Sequence, residues 1–248
     1  MCKDAFSGWN HFARLPGVPS GAKVYYRVGD GKNWSNESVV VSPKHGSPAS
    51  FKVAVIGDYG VDYSENNTAV LNSMALDDNF DFGVHLGDIS YANDHLEYET
   101  TWTEWFTRNQ PMLKRKPYQV LPGNHEVDCR DPICLVQTFN FTAYKYKFQT
   151  PGNFSNMFYS FDYLNAHFVA ISTETDYPGS PIDLKKKRMG LPQETYVQLE
   201  WLENDLANAN LPENRAKRPW IIVMGHRPIY SSARDLPPNF QKQVFAFF

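Results

Sequence analysis

A chain of 248 residues with 42% hydrophobic and 15% aromatic side chains is long enough to bury a sizeable core and too apolar for a disordered segment. Its formal net charge of −3 offers no basic surface to nucleic acid or to anionic lipid. No apolar run approaches about 18 residues, so no membrane-spanning helix is predicted.

Residues 1–48 are predicted to be β structure. Residues 23–28 and 39–41 are rich in β-forming side chains, and a Gly-Asp-Gly turn at residues 29–31 lies between them. A linker rich in proline, glycine and serine follows. So few strands cannot bury a core of their own. We therefore expect residues 1–48 to be the C-terminal part of a β-sandwich domain and residues 49–248 to form a second domain.

From residue 51 onward the sequence alternates between predicted strands and predicted helices, which indicates an α/β fold. Strands are predicted over residues 51–56, 82–86, 118–121, 158–163, 167–172 and 220–223. Helices are predicted around Val70, Leu71 and Met74, around Trp102, Trp105 and Phe106, and around Tyr196, Leu199, Leu202 and Leu206. The run 51–56 is predicted to be buried on both faces, and the run 220–223 is predicted to be a buried strand. The fourth and fifth strands are predicted to form an antiparallel pair.

Four of these strands are followed by short polar motifs that contain glycine. The motifs are Gly57-Asp58-Tyr59-Gly60, Gly87-Asp88-Ile89-Ser90-Tyr91, Gly123-Asn124-His125-Glu126 and Gly225-His226-Arg227-Pro228. Ligands of open α/β sheets bind beyond the carboxyl ends of the strands, so we expect the motifs to meet in one cleft. Carboxylates gathered there need a compensating cation. Oxygen and imidazole donors without thiolate suit iron, manganese or zinc, and two metal ions about 3.5–4 Å apart would clamp a phosphoryl group.

Two more side chains are candidates to support the metal ligands from behind. Glu126 closes the third motif, and His85 lies in the strand that precedes the second motif. For His85 the sequence leaves two interpretations open, a packed core histidine or a residue that orients a ligand.

GDYG, GDISYAN, GNHE and GHRP resemble four of the five metal-binding blocks of the purple acid phosphatases, which are members of the metallophosphoesterase superfamily. The resemblance covers nearly the whole chain. It implies two β-sheets packed as a sandwich and flanked by helices over residues 49–248, the calcineurin-like metallophosphoesterase catalytic domain. It also implies that residues 1–48 are part of a fibronectin type III-like β domain.

The resemblance implies a role for each candidate ligand. Asp58 would bind Fe(III), Asp88 would bridge both metals, and Tyr91 would be a tyrosinate on the iron. Asn124 and His226 would hold a second, divalent metal, which is zinc, manganese or iron. The activity implied is that of an acid phosphatase, in which a metal-bound hydroxide attacks the phosphorus of small phosphate monoesters. His125 would face the phosphate and help to protonate the leaving group.

One exchange separates the purple acid phosphatases from their relatives. The broader metallophosphoesterases have Asp-x-His in the first block, where the histidine is a metal ligand. This chain has Gly60 at that position and Tyr91 after the second aspartate instead. The exchange argues against a Ser/Thr protein phosphatase or a nuclease.

The fifth block of the family, Gly-His-x-His, does not occur in the 248 residues, and no histidine follows His226. We therefore expect an incomplete catalytic domain that binds metal poorly as it stands. Two alternatives to an acid phosphatase stay open. One is a non-catalytic phosphatase-like glycoprotein, and the other is a metal-dependent phosphodiesterase. The oligomeric state cannot be predicted.

Cysteines and glycosylation sequons favour a secreted, vacuolar or lysosomal protein. Cys129 and Cys134 are close enough to form a small-loop disulfide, while Cys2 is left over. Reduced thiols are the alternative. Sequons occur at Asn33, Asn36, Asn66, Asn140 and Asn153. The first residues contain no apolar segment typical of a signal peptide, so we expect such a segment to lie upstream.

Overall fold

The computed structural model describes residues 10–46, 50–62, 64–126, 141–152, 156–176 and 197–228. Within these ranges the strands are β1 (Lys23–Tyr26), β2 (Ser38–Val41), β3 (Val53–Ile56), β4 (Phe82–Leu86), β5 (Tyr118–Leu121), β6 (Tyr159–Tyr163), β7 (Ala166–Ala170) and β8 (Trp220–Met224). The α-helices are α1 (Glu65–Leu76), α2 (Tyr98–Leu113), α3 (Thr142–Lys147), α4 (Val197–Ala209) and α5 (Pro212–Lys217). Single 3₁₀ turns cover Ala92–Asp94 and Asn124–Glu126.

The described strands form three sheets. β1 and β2 pair antiparallel. β3, β4 and β5 form a parallel sheet with β4 in the middle. β6 pairs antiparallel with β7, and β8 joins β7 in parallel. The predicted antiparallel pair is thus confirmed, with Leu164 in its turn at φ 50°.

The period of two in the strands decides which cluster each side chain joins. Phe82 and Val84 of β4 pack with Phe168 of β7 in an apolar cluster between the two three-stranded sheets, and the rings of Phe82 and Phe168 are 5.4 Å apart. Val120 of β5 belongs instead to a second cluster, which contains Trp105 of α2. This arrangement confirms the predicted α/β fold with sandwiched sheets and flanking helices.

The prediction that residues 51–56 are buried on both faces was wrong, and so was the prediction that residues 220–223 form a buried strand. Val55 is 56% exposed and Trp220 is 64% exposed. These side chains are exposed because β3 and β8 are outer strands of their sheets within the described part of the chain. Apolar content alone does not distinguish a central strand from an outer one. Tyr196, which was predicted to belong to the helix α4, lies outside the described residues.

The strand β1 and the segment after β2 contact the remainder of the chain through polar groups. The hydroxyl of Tyr26 donates to the carbonyl oxygen of Lys114 over 2.9 Å, and Lys44 pairs with Asp81. The division at residue 48 and the fibronectin type III character of the first part stay predictions. No helix in the described ranges is both long and apolar enough to cross a bilayer.

His167 of β7 is held between two carboxylates. Its Nδ1 is 2.7 Å from Asp162 Oδ1, and its Nε2 is 2.9 Å from Asp205 Oδ2 on α4. Arg218 pairs with the other oxygen of Asp162. Both ring nitrogens can donate only in the charged imidazolium. The bond to Asp205 is therefore the main cause of a raised pKa of His167, and it outweighs the effect of burial.

We expect the stabilisation that His167 provides to be lost as pH rises. The pKa of His167 is higher in the folded than in the unfolded chain. Its contribution to the free energy of unfolding is therefore complete below the ordinary histidine pKa of about 6.5, and it is lost as the pH rises through the pKa of the folded protein. Over that pH range the free energy of unfolding of the wild type should fall by on the order of 1.5–3 kcal/mol more than that of His167→Gln. Urea unfolding of both proteins from mildly acidic to mildly alkaline pH measures this. Parallel pH dependences would contradict it.

Candidate metal centre

The candidate side chains follow the strands that the sequence predicted. Asp58 comes after β3, Asp88 after β4, Asn124 after β5 and His226 after β8. β3, β4 and β5 run parallel, so their carboxyl ends share one edge of the sheet. The first two loops are also bonded together, since the Asp58 amide donates to the Gly87 carbonyl oxygen over 3.2 Å.

Five side chains are candidate metal ligands: Asp58, Asp88, Tyr91, Asn124 and His226. Three of them have a left-handed backbone conformation. The φ angles are 53° at Asp58, 53° at Asp88 and 57° at Tyr91. Such conformations cost on the order of 1–3 kcal/mol each for residues with a side chain, and they concentrate at functional sites. The surrounding structure therefore imposes these conformations on residues that aim into one cleft, which supports a functional role for the loops.

The donor atoms of these residues lie close together, as the sequence predicted. Tyr91 Oη is 3.2 Å from Asp58 Oδ1 and 3.4 Å from Asp88 Oδ2. His226 Nε2 is 3.3 Å from Asp88 Oδ2 and 3.2 Å from Asn124 Oδ1. One donor atom from each of Asp58, Asp88 and His226 can be chosen so that all three lie within 4.8 Å of one another, a spacing that could hold a metal ion. Asp88 is the centre of the group.

Raised pKa values keep protons on His226 and Tyr91 beside the carboxylates of Asp88 and Asp58. Burial acts against the charge on His226, but the hydrogen bond and the charge of Asp88 raise its pKa to about 9. Burial likewise opposes ionisation of Asp88, and the bond from His226 still lowers its pKa. Burial, followed by the charges of Asp88 and Asp58, raises the pKa of the Tyr91 phenol far above its usual range. A bound cation would displace these protons, as metal binding generally does.

Glycines leave room for this packing. A Cβ atom at Gly60 would lie 2.8 Å from Cδ2 of Tyr91, which is too close for any real side chain. A side chain at position 60 would therefore require the ring of Tyr91 to shift from its present position. Gly87 has φ 79°, and a Cβ there would lie 2.8 Å from Cγ of His226.

Glu126 supports the centre through the backbone. Its Oε2 accepts from the amides of Asp88 and Gly123, and its Oε1 accepts from the amide of Ile89, each over 2.8 Å. Burial and then the charge of Asp88 raise the pKa of Glu126 to about 7, while the three hydrogen bonds act in the opposite direction. The carboxyl group therefore joins the loop after β4 to the loop after β5.

His85 is packed in the core rather than bonded to a candidate ligand side chain. It is fully buried, its Nδ1 is 2.9 Å from the hydroxyl of Tyr118, and its ring contacts Tyr59 and Trp105. Burial is the main cause that lowers the pKa of His85 to about 3, so the ring is neutral. A role in orienting the ligands stays a prediction.

His125 lies beside the ligand group. Its amide donates to Asp88 Oδ1 over 2.8 Å, and its ring is 4.3 Å from the ring of Tyr91. Its Nδ1 is 3.1 Å from Oδ1 of Asn93, while its Nε2 is 3.9 Å from Asp88 Oδ2. The ring is thus held at one nitrogen by an amide oxygen and presents the other nitrogen to the ligands.

Sequence reasoning missed three residues of this region. Asn93 holds His125, and Arg227 forms a two-pronged ion pair with Glu174 next to Asn124. Asn93 and Arg227 lie within the motifs GDISYAN and GHRP, so their positions in the sequence could have identified them as residues of this site. Glu174 is distant in sequence from any motif, and nothing in its neighbourhood marks it.

Several predicted features lie outside the described residues: Cys129, Cys134, Asn140 and Asn153. The disulfide and those two sequons therefore stay predictions. Asn33, Asn36 and Asn66 are described and exposed. Exposure is required for glycosylation and does not show that it occurs.

Comparison with known proteins places these residues in a family. The Calcineurin-like phosphoesterase family profile matches residues 51–246. Acid phosphatase type 7 of Mus musculus is 34% identical over 229 residues, covering 91% of this chain and 46% of that protein. The probable inactive purple acid phosphatase 9 of Arabidopsis thaliana is 31% identical over 268 residues, covering 92% and 38%. A purple acid phosphatase structure from Lupinus luteus seeds superposes with a TM-score of 0.61 at 26% identity, covering 81% of this chain and 35% of that chain.

The chain belongs to the calcineurin-like phosphoesterase family, since the family match covers most of its length. Its similarity to proteins named acid phosphatase and purple acid phosphatase confirms the resemblance carried by the four motifs. The chain spans less than half the length of these relatives.

Proposed function

We propose that this chain carries the metal centre of an acid phosphatase that hydrolyses phosphate monoesters. The observation that carries the proposal is the convergence of oxygen and nitrogen donors around Asp88. Carboxylates, a phenol, an amide and an imidazole form a donor set that suits hard and borderline metal ions. The raised pKa values of His226 and Tyr91 keep protons on two of these donors, and a cation would replace such protons on binding.

The positions of the donors support two metal ions that share Asp88. Asp58 and Tyr91 would hold Fe(III) together with Asp88, because anionic oxygen donors suit a small trivalent ion. Asn124 and His226 would hold a divalent ion, zinc, manganese or iron, on the other side of Asp88. When bound, the two ions would supply Lewis acidity to the phosphoryl oxygens and to an attacking water.

His125 is the candidate for moving a proton during the reaction. With Nδ1 bonded to Oδ1 of Asn93, Nε2 is the ring nitrogen that faces the ligand group. We assign to Nε2 the protonation of the leaving alkoxide, a step that general acids accelerate by about 10²–10⁴-fold.

The proposed setting is an oxidising compartment, either outside the cell or in a vacuole or lysosome. The exposed sequons at Asn33, Asn36 and Asn66 and the proposed Cys129–Cys134 disulfide support this setting.

The proposed substrates are small phosphoesters, since the net charge of −3 offers no complement to a nucleic acid.

A non-catalytic role is the second candidate, and one specific observation favours it. A relative with 31% identity carries the name of a probable inactive purple acid phosphatase. A phosphodiesterase is the third candidate, because the same ligand set would serve a diester.

One assay separates the three candidates. The protein is loaded with iron and zinc and assayed at acidic pH with a chromogenic phosphate monoester and with the matching diester, before and after removal of metal by a chelator. We expect chelator-sensitive turnover of the monoester by a chain extended to include a Gly-His-x-His block, and little or none by residues 1–248 alone, which lack that block. Faster turnover of the diester would favour the phosphodiesterase. Full metal occupancy without turnover of either ester would favour the non-catalytic role and overturn the proposal.

A further inference from the structure

Arg227, which is partly exposed, forms an ion pair with the buried Glu174 at the edge of the candidate metal centre. Arg227 Nε donates to Glu174 Oε1 and Arg227 Nη2 donates to Glu174 Oε2, each over 2.8 Å. The two parallel bonds are the geometry that a guanidinium and a carboxylate favour. Glu174 is 0% exposed, so without this partner its charge would be very costly to bury.

The pair is linked to a candidate metal ligand. Nη2 of Arg227 also lies 3.4 Å from Oδ1 of Asn124, the same oxygen that is 3.2 Å from Nε2 of His226. The arginine therefore faces the oxygen, and not the nitrogen, of the Asn124 amide. A metal ion binds an amide through its oxygen, and an arginine can only donate, so both demand the same orientation of the side chain.

The backbone holds this arginine in place as well. The amide of Arg227 donates to Thr173 Oγ1 over 3.1 Å, and a Cβ atom at Gly225 would lie 2.8 Å from Cγ2 of Thr173. The segment that carries His226 is thus packed directly on the segment that carries Glu174. A shift of Glu174 would therefore move Arg227 and reach Asn124.

Glu174 also balances the charge of Arg227 at this position. Paired with Glu174, it contributes no net charge and still offers one donor to Asn124.

We propose that Glu174 and Arg227 are positioning residues that orient the oxygen of Asn124 toward the divalent metal. This inference rests on the proposed function, because it assumes that Asn124 and His226 hold a divalent ion. It adds two residues to the centre, one of which lies outside all four motifs. The residues that hold a metal-binding side chain in place typically contribute about 10–100-fold to metal affinity.

The test uses Arg227→Lys, which keeps the charge and removes the planar fork, and Glu174→Gln, which keeps the shape and removes the charge. Zinc is titrated calorimetrically into protein already loaded with Fe(III), and the visible absorption of the Tyr91–iron pair is followed separately. We expect the Kd for zinc to rise about 10–100-fold in both variants while the iron absorption is retained. Arg218→Lys is the matched control, because Arg218 pairs with Asp162 far from the centre at a similar exposure. Its Kd should equal that of the wild type.

The outcomes separate this inference from the function on which it rests. An unchanged zinc Kd in either folded variant overturns the inference alone. Equal loss of zinc affinity and of iron absorption also overturns it, since a general structural role would affect both sites. Failure of the wild type to bind zinc at all would overturn the proposed function and the inference together. Thermal unfolding shows which variants are folded at the temperature of the titration.

Discussion

Asp88→Asn is expected to abolish metal-dependent phosphatase activity. Oδ2 of Asp88 lies 3.4 Å from Tyr91 Oη and 3.3 Å from His226 Nε2, so it is the atom shared by both halves of the centre. An amide at this position removes the negative charge and turns one of the two acceptor atoms into a donor. Loss of a ligand common to two ions should exceed the about 10–100-fold typical for a residue that only supports a ligand. Turnover of a phosphate monoester and metal content per chain measure the effect.

The control for this variant is Asp77→Asn, at the exposed end of α1. It removes the same charge from the surface and should leave turnover and metal content unchanged. Asp88→Asn should still fold, since the replacement retains an oxygen to accept from the amide of His125. Undiminished turnover by folded Asp88→Asn would contradict the assignment of Asp88.

Glu126→Ala is expected to lower the free energy of unfolding by on the order of 3–5 kcal/mol. The variant would leave the buried amides of Asp88, Ile89 and Gly123 without their acceptor. Each unsatisfied buried donor costs about 1–3 kcal/mol. Denaturant unfolding of the metal-free protein measures the loss without contributions from bound metal.

Two further variants make this prediction specific. Glu203→Ala changes an exposed glutamate on α4 and should stay within about 0.5 kcal/mol of the wild type. Glu126→Gln retains one oxygen but places an NH₂ group against an amide donor, so its loss should be intermediate. An effect of Glu126→Ala as small as that of Glu203→Ala would show that the three hydrogen bonds contribute little.

The candidate ligands could be predicted from sequence because they follow strands directly. Asp58, Asp88 and Asn124 each lie two or three residues beyond the end of a parallel strand, so topology alone brings them to the same edge. His226 follows β8 in the other three-stranded sheet, and its place required the packing of the two sheets. The sequence placed His226 in the cleft because its motif follows a predicted strand and resembles a metal-binding block of the purple acid phosphatases.

Other features could not be predicted because they depend on contacts between distant residues. Glu174 meets Arg227 from 53 positions away, and no local pattern marks such a pair. The left-handed φ angles of Asp58 and Asp88 arise from the loops that enclose them, whereas local propensity favours other conformations. The exposure of Val55 and Trp220 depends on the order of strands in the sheets, which apolar content does not reveal.

The most direct test of the proposed centre is anomalous X-ray diffraction from crystals of the protein loaded with iron and zinc, recorded at the absorption edge of each metal. We predict one iron peak beside Asp58 and Tyr91 and one zinc peak beside Asn124 and His226, with the carboxylate of Asp88 between them. Metal peaks that lie elsewhere, or none at this edge of the sheet in fully loaded protein, would contradict the assignment of these five residues as ligands.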